Sequence, residues 1–334
     1  MNKIFFLIAV VATVFSVSAQ EPYLKLTVDQ NGNGDFKTIQ EAVNSTRDLG
    51  PGEVEISIKN GVYNEKLVIP TWKHQLTLIG ENPEKTIIKN SDYSGKIDLQ
   101  TGKTMSTFNS YTVLVQGDDV HFKNLTIQNT WCDQGQAVAL HVEGDRFIAE
   151  NCRLLGCQDT LYTATEGSRQ YYKNCYIEGT TDFIFGEATV VFEGCTINSL
   201  ANSYVTAAAT PENQEFGYVF LDCKLIAKEG IDKVYLGRPW RSYAQTVFLN
   251  STLGNHIVKE GWDPWTGDKM FPEKEKTAYY AEYKSNGVGA SPNSRVDWSH
   301  QLSVQEMEKY TVENIFSRKD NSWKPNQIIK NNLH

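Results

Sequence analysis

The sequence predicts an all-β solenoid, a parallel β-helix. Three observations carry this: a recurring strand pattern, a repeat period between 20 and 30 residues, and no helical spacing between repeats. The pattern is two apolar or aromatic residues, a spacer, a small polar residue and a recurring position. It reads His121-Phe122-Lys123-Asn124-Leu125, Ile148-Ala149-Glu150-Asn151-Cys152 and Tyr171-Tyr172-Lys173-Asn174-Cys175. It continues as Val191-Phe192-Glu193-Gly194-Cys195, Val219-Phe220-Leu221-Asp222-Cys223 and Val247-Phe248-Leu249-Asn250-Ser251. The recurring positions are separated by 27, 23, 20, 28 and 28 residues. Two places after each comes an apolar residue: Ile127, Leu154, Ile177, Ile197, Leu225 and Leu253. Leucine-rich repeats share the period but carry a denser leucine consensus. Strands rich in Val, Ile, Phe and Tyr instead bury their inward side chains by stacking coil on coil, which leaves an elongated outer groove.

Taken from the N-terminus, the chain first shows a leader. Lys3 supplies the positive charge, Ile4 to Phe15 the apolar run, and Val17-Ser18-Ala19 a small-residue cleavage site. Residues 1–19 are thus expected to be a signal peptide and 20–334 a single domain, secreted or periplasmic. The apolar run is too short for a membrane-spanning helix, and no later stretch is long enough. Asp35 to Val43 has helical spacing and is expected to form a short capping helix over the N-terminal end of the core. Val54 to Ile58 and Leu76 to Ile79 read as early rungs. From Gly261 onward Gly, Pro and Trp become frequent, which predicts loops packed on the barrel, and Ser303 to Tyr310 predicts a C-terminal helix.

The formal charge is −8, and one unit lower without Lys3, which argues against nucleic acid as a partner. An anionic polymer is still compatible with a groove that carries arginine. Six cysteines suit an oxidising compartment but are too few for a disulfide scaffold. Cys152, Cys175, Cys195 and Cys223 share one ladder position. They read either as small buried residues or as a rung-to-rung bond, with Cys175–Cys195 the expected pair. No Cys-x-x-Cys or histidine set accompanies them, so no metal is expected.

Two aspartates hold the same place in consecutive repeats. Asp159 lies seven residues after Cys152, and Asp182 seven residues after Cys175. Stacked coils would set them about 5 Å apart at the backbone. Carboxyls that close do not both ionise cheaply, so one is expected to stay protonated beside a charged partner, as in an acid–base or nucleophile–acid pair. A Gly-x-Ser-x-Gly elbow and a His-Glu-x-x-His helix are both missing, and the six histidines are scattered. Aromatic rings pack on sugar C–H faces, so Tyr162, Phe183, Trp240 and Trp265 are candidates to line the groove. Phe185 is assigned to the core because it follows Phe183 at strand spacing.

Several blocks resemble the signatures of pectin methylesterases, in that family's order. They are Gly61-Val62-Tyr63-Asn64-Glu65, Gln136-Ala137-Val138-Ala139-Leu140, Gln158-Asp159-Thr160-Leu161-Tyr162, Asp182-Phe183-Ile184-Phe185-Gly186 and Leu236-Gly237-Arg238-Pro239-Trp240. Further similarity runs through Gly261-Trp262 with Trp265, Tyr280 to Tyr283 and Arg295 to Trp298. The resemblance implies a right-handed parallel β-helix and hydrolysis of the C6 methyl esters of polygalacturonate (pectin, as homogalacturonan), without metal or cofactor. It implies Asp182 as nucleophile, Asp159 as general acid and then base, and Gln136 and Gln158 as the oxyanion hole. It further implies Arg238 as the partner of Asp182, Trp240 as a substrate platform and Thr107 as a substrate contact. Cys157 departs from the pattern, standing where the family commonly has an aromatic residue, and Trp131 to Gly135 is unusual before the Gln136 block. No inhibitory pro-domain is seen, which looks more like bacterial members, and a monomer is expected. Competing readings are a pectin lyase or polygalacturonase on a similar solenoid, or a noncatalytic pectin-binding solenoid.

Overall fold

The computed structural model describes residues 24–319 and 321–331, so the expected signal peptide lies outside the described residues. The chain winds as a right-handed parallel β-helix whose coils contribute strands to three parallel sheets. The first sheet has eleven strands, from Leu24–Val28 to His300–Gln301. The second has eight, from Gly61–Asn64 to Thr252–Leu253, and the third seven, from Leu67–Ile69 to Tyr235–Gly237.

In-register pairing turns the sequence repeat into columns. Phe122, Ala149, Tyr172, Phe192, Phe220 and Phe248 are successive partners on the inner face of the first sheet. The rings of Phe192, Phe220 and Phe248 stack at centroid spacings of 4.5 and 4.3 Å. The predicted apolar positions Ile127, Leu154, Ile177, Ile197, Leu225 and Leu253 form the corresponding buried column of the second sheet. The small polar residue of each repeat turns the corner between these sheets. Asn124, Asn151, Asn174, Gly194, Asp222 and Asn250 all have φ between 50° and 63°, the left-handed region that Asn, Asp and Gly enter most cheaply.

The cysteine column corrects one expectation. Cys152, Cys175, Cys195 and Cys223 are buried free thiols, and the disulfide joins Cys132 to Cys157 instead. Parallel in-register coils hold the Cβ vectors of Cys175 and Cys195 side by side rather than facing, so stacking proximity alone does not make a bond. Each thiol donates to a backbone carbonyl: Cys175 Sγ to Ala149 O at 3.3 Å and Cys195 Sγ to Tyr172 O at 3.4 Å.

Both ends are closed. The N-terminal helix spans Ile39–Ser45 and begins later than Asp35, because Thr38 caps it in a capping box with Glu41. It buries Ile39, Ala42 and Val43 on the core. Near the C-terminal end, Arg295 forks onto Glu282 at 2.6 and 3.2 Å, with both side chains 2% exposed. The region after Gly261 is largely loops, but Tyr279–Tyr283 adds another strand to the first sheet. The helix expected over Ser303 to Tyr310 forms as Val304–Met307, again with a capping box, and is followed by Val312–Ile315 and Pro325–Asn331. Tyr310, Val312, Ile315, Phe316, Trp323 and Ile329 from this region cover the outward residues Ile148, Tyr171, Val191, Val219 and Val247 of the first sheet. The third sheet keeps its outer face open along the groove described below.

Candidate active site

The groove follows one outward column of the third sheet: Leu114, His141, Tyr162, Phe185 and Ala207 are successive register partners. Tyr162 and Phe185 stack face to face at 4.6 Å, and Trp240 meets Phe185 edge-on at 5.8 Å. Asp159 and Asp182 lie at the corners that lead into two adjacent strands of this sheet, Leu161–Thr163 and Ile184–Gly186. The strand register carries one onto the other, as the repeat predicts. Both corners are left-handed, with φ of 65° and 48°. Their amides are satisfied by the next coil, Asp159 N–H by Thr181 O at 3.1 Å and Asp182 N–H by Tyr204 O at 2.9 Å. The carboxylates are therefore not needed to hold the turns.

Both side chains open on a cavity of about 340 Å³, lined also by Thr107, Phe108, Gln136, Gln158, Phe185, Ala207, Arg238, Trp240 and Trp265. The two aspartates are 8% and 6% exposed. Arg238 distinguishes them. Its Nε donates to Asp182 Oδ1 at 3.0 Å and its Nη2 to Oδ2 at 2.6 Å, a bidentate pair. The guanidinium is itself sandwiched, 3.9 Å from the Tyr204 ring centroid and 3.6 Å from that of Trp265. Trp265 is set by Asp263, whose Oδ1 accepts its N–H at 2.7 Å, and Lys274 Nζ lies 4.3 Å from the same ring.

The electrostatics follow from this asymmetry. Burial, and then the charge of Asp182, push the Asp159 carboxyl well above the usual carboxylate range, against the pull of Arg238. Burial raises Asp182 as well, but the hydrogen bonds and charge of Arg238 oppose it, so Asp182 is the member that ionises first. The arrangement makes the pair unequal: Asp182 is the more readily ionised carboxyl, and Asp159 is the one that holds its proton longer. Gln136 and Gln158 line the same space and bring two side chains that carry amides.

Of the sequence candidates, Asp159, Asp182, Gln136, Gln158, Arg238, Trp240, Trp265 and Thr107 come together here. Tyr162 belongs to the adjoining stretch of groove with Phe108, His141, Glu143 and Glu187, where its hydroxyl is 3.5 Å from Glu187 Oε1. Phe183 does not line the groove. It is fully buried in the core, in space left by Gly179, while Phe185 points outward. The assignment of these two inverts because the left-handed corner at Asp182 resets the strand phase: Phe183 and Ile184 both turn inward before alternation resumes. Tyr204 and Phe108 were not singled out from the sequence. The signal for Tyr204 was its register with Asp182; for Phe108 it was adjacency to Thr107.

The pectinesterase family model matches residues 25–319 of this chain. The probable pectinesterase/pectinesterase inhibitor 64 of Arabidopsis thaliana is 39% identical over 316 residues, covering 87% of this chain and 50% of that one. Several curated relatives carry this double name, and the chain spans about half their length. Among solved structures, pectin methylesterase from carrot superposes with a TM-score of 0.78 at 35% identity, over 87% of this chain and 92% of that one. A pectin methylesterase in complex with a hexasaccharide matches with a TM-score of 0.77 at 29% identity, over 90% of this chain and 97% of that one. A family match across nearly all described residues, on the same coil architecture, establishes that this chain belongs to the pectinesterase family.

Proposed function

We propose that this protein hydrolyses the C6 methyl esters of polygalacturonate, releasing methanol and leaving de-esterified pectin. The observation that carries this reading is the bidentate Arg238–Asp182 pair beside a buried Asp159 that no guanidinium pairs, in a cavity that Gln136 and Gln158 also line. Asp182, kept ionised by Arg238, attacks the ester carbonyl carbon. The carbonyl oxygen becomes an oxyanion and receives hydrogen bonds from the Gln136 and Gln158 amides. Asp159 gives its proton to the departing methoxy oxygen, so methanol leaves rather than methoxide. Water then attacks the acyl-enzyme, Asp159 takes a proton from it, and Asp182 is released as a carboxylate. The open groove and its aromatic column suit a polymer laid along the coil axis, and the hexasaccharide bound by a pectin methylesterase of the same fold supports an oligosaccharide-sized ligand. Among the described residues no helix is long and apolar enough to cross a membrane. An exported monomer acting on extracellular pectin fits the leader read in the sequence.

The test is to incubate the protein with highly methylated pectin and follow methanol, new reducing ends and unsaturated products together. Methanol without chain cleavage is the expected result. Cleavage without methanol would replace this reading with a glycosidase or lyase, and no product of any kind would leave only a binding role.

A further inference from the structure

The two glutamines reach the cavity on different kinds of backbone. Gln158 sits on a pinned corner. The carbonyl of Cys157 accepts from Thr180 N–H at 3.0 Å and Thr160 Oγ1 at 3.1 Å, and that of Gln158 from Ala137 N–H at 3.1 Å. Gln136 instead ends an excursion that leaves the coil after Asn129 and rejoins it at Ala137. Its roots are fixed, since Asn129 Nδ2 reaches the Val138 carbonyl at 3.0 Å and Val138 N–H donates to Ser110 Oγ at 3.1 Å. Its crest stands clear of the coil: Cys132, Asp133, Gln134 and Gly135 are all exposed, and Trp131 Nε1 donates to the Gln134 carbonyl at 3.1 Å within it. Thr130 ties the start of the excursion to the neighbouring coil, its N–H and Oγ1 donating to the Asn90 carbonyl at 2.9 and 3.2 Å, and three further links lie beyond it. The Trp131 ring stacks on Tyr93 at 3.7 Å, Ser94 N–H donates to the Gln136 carbonyl at 2.9 Å, and Cys132 is bonded to Cys157.

We propose that the Cys132–Cys157 disulfide is a positioning device for the two glutamine amides. Its placement is the argument. Cys157 immediately precedes Gln158, and Cys132 lies four residues before Gln136, so one covalent bond joins the two donor-bearing segments. An exposed crest with few contacts samples open conformations, and a cross-link at that point removes them. Oxyanion donors act only if aimed before charge develops, and misplacement by about 1 Å can cost up to about 10²-fold in rate. The bond therefore fixes by covalency what neighbouring coils fix by packing elsewhere. This rests on the reading of Gln136 and Gln158 as transition-state donors.

The experiment compares the oxidised protein, the protein reduced with a phosphine, and Cys132→Ser/Cys157→Ser, each alone and with Gln136→Ala. Alkylation and mass spectrometry confirm that Cys132 and Cys157 are the thiols opened, and rates are taken well below the unfolding transition. Breaking the bond should lower kcat on methylated pectin by about tenfold while KM stays within about twofold, because the donors act on the transition state. In the Gln136→Ala background the same break should lower kcat by less than twofold, the non-additivity of groups that act as a unit. An unchanged kcat after reduction, a lower thermal stability with no kinetic change, or an equal loss in both backgrounds would each overturn the proposal. If the double-serine protein does not fold, the reduced wild-type protein gives the same comparison. Should the oxidised protein release no methanol at all, the functional reading itself fails, and this proposal fails with it.

Discussion

Two rows of left-handed corners run along this molecule; they share a backbone and small polar residues but differ in what surrounds them. Between the first and second sheets, Asn124, Asn151, Asn174, Gly194, Asp222 and Asn250 repeat one turn, exposed or half-exposed, and Asn151 Nδ2 donates to Asn124 Oδ1 at 2.7 Å. Before the third sheet, Asp159 and Asp182 adopt the same sign of φ but are buried beneath an aromatic groove. The backbone selects a small polar residue in both rows, because other side chains enter the left-handed region at a cost. Chemistry comes from what surrounds the corner. Burial makes a carboxylate expensive, and a guanidinium aimed at one of two neighbours makes them unequal.

The largest expected break in this contrast is Asp182→Ala. The account expects kcat/KM on methylated pectin to fall by at least about 10⁴-fold, with the far-ultraviolet circular dichroism of the coil retained. Turnover within about tenfold of wild type would remove Asp182 from the nucleophile role.

Asp159→Asn should separate function from stability. The folded-state pKa of Asp159 lies above its unfolded value of about 3.9, so the native state holds a proton that the unfolded chain releases once pH rises past that value. Wild-type stability therefore declines as pH climbs through the window between the two values, and the asparagine variant escapes the decline. It should lose most turnover yet melt at a higher temperature than wild type at pH 7, a gain that vanishes near pH 3.5. Equal melting temperatures at pH 7 would show that burial does not penalise this carboxylate.

The smallest effect belongs to the structural row. Asn151→Ala forces a Cβ-bearing residue without a polar tip into a corner with φ of 50° and removes the bond to Asn124. Denaturant titration should show a loss of about 1–2 kcal/mol, with kcat unchanged. A fall in kcat would mean the two rows are coupled.

Most of the coil was legible because in-register stacking writes itself into the sequence: Leu125, Cys152, Cys175, Cys195, Cys223 and Ser251 recur because each follows the same left-handed turn and is buried. The match of Asp159 with Asp182 was legible for the same reason. The errors arose where a period carries no information. Alternation cannot see that the corner at Asp182 shifts the strand phase, so Phe183 and Phe185 were exchanged. Ladder position says that Cys175 and Cys195 are neighbours but not that their side chains lie parallel, and nothing periodic connects Cys132 with Cys157. The sandwich of Arg238 between Tyr204 and Trp265 joins residues from separate coils and a late loop, and no local pattern encodes it.

The central claim is that matched corners hold two aspartates in opposite protonation states. Infrared difference spectra at pH 7 test it directly, comparing wild type with Asp159→Asn and with Asp182→Asn. The account predicts that the first substitution removes a protonated-carboxyl carbonyl band and the second removes carboxylate bands. Loss of carboxylate bands alone in the Asp159→Asn spectrum would contradict it.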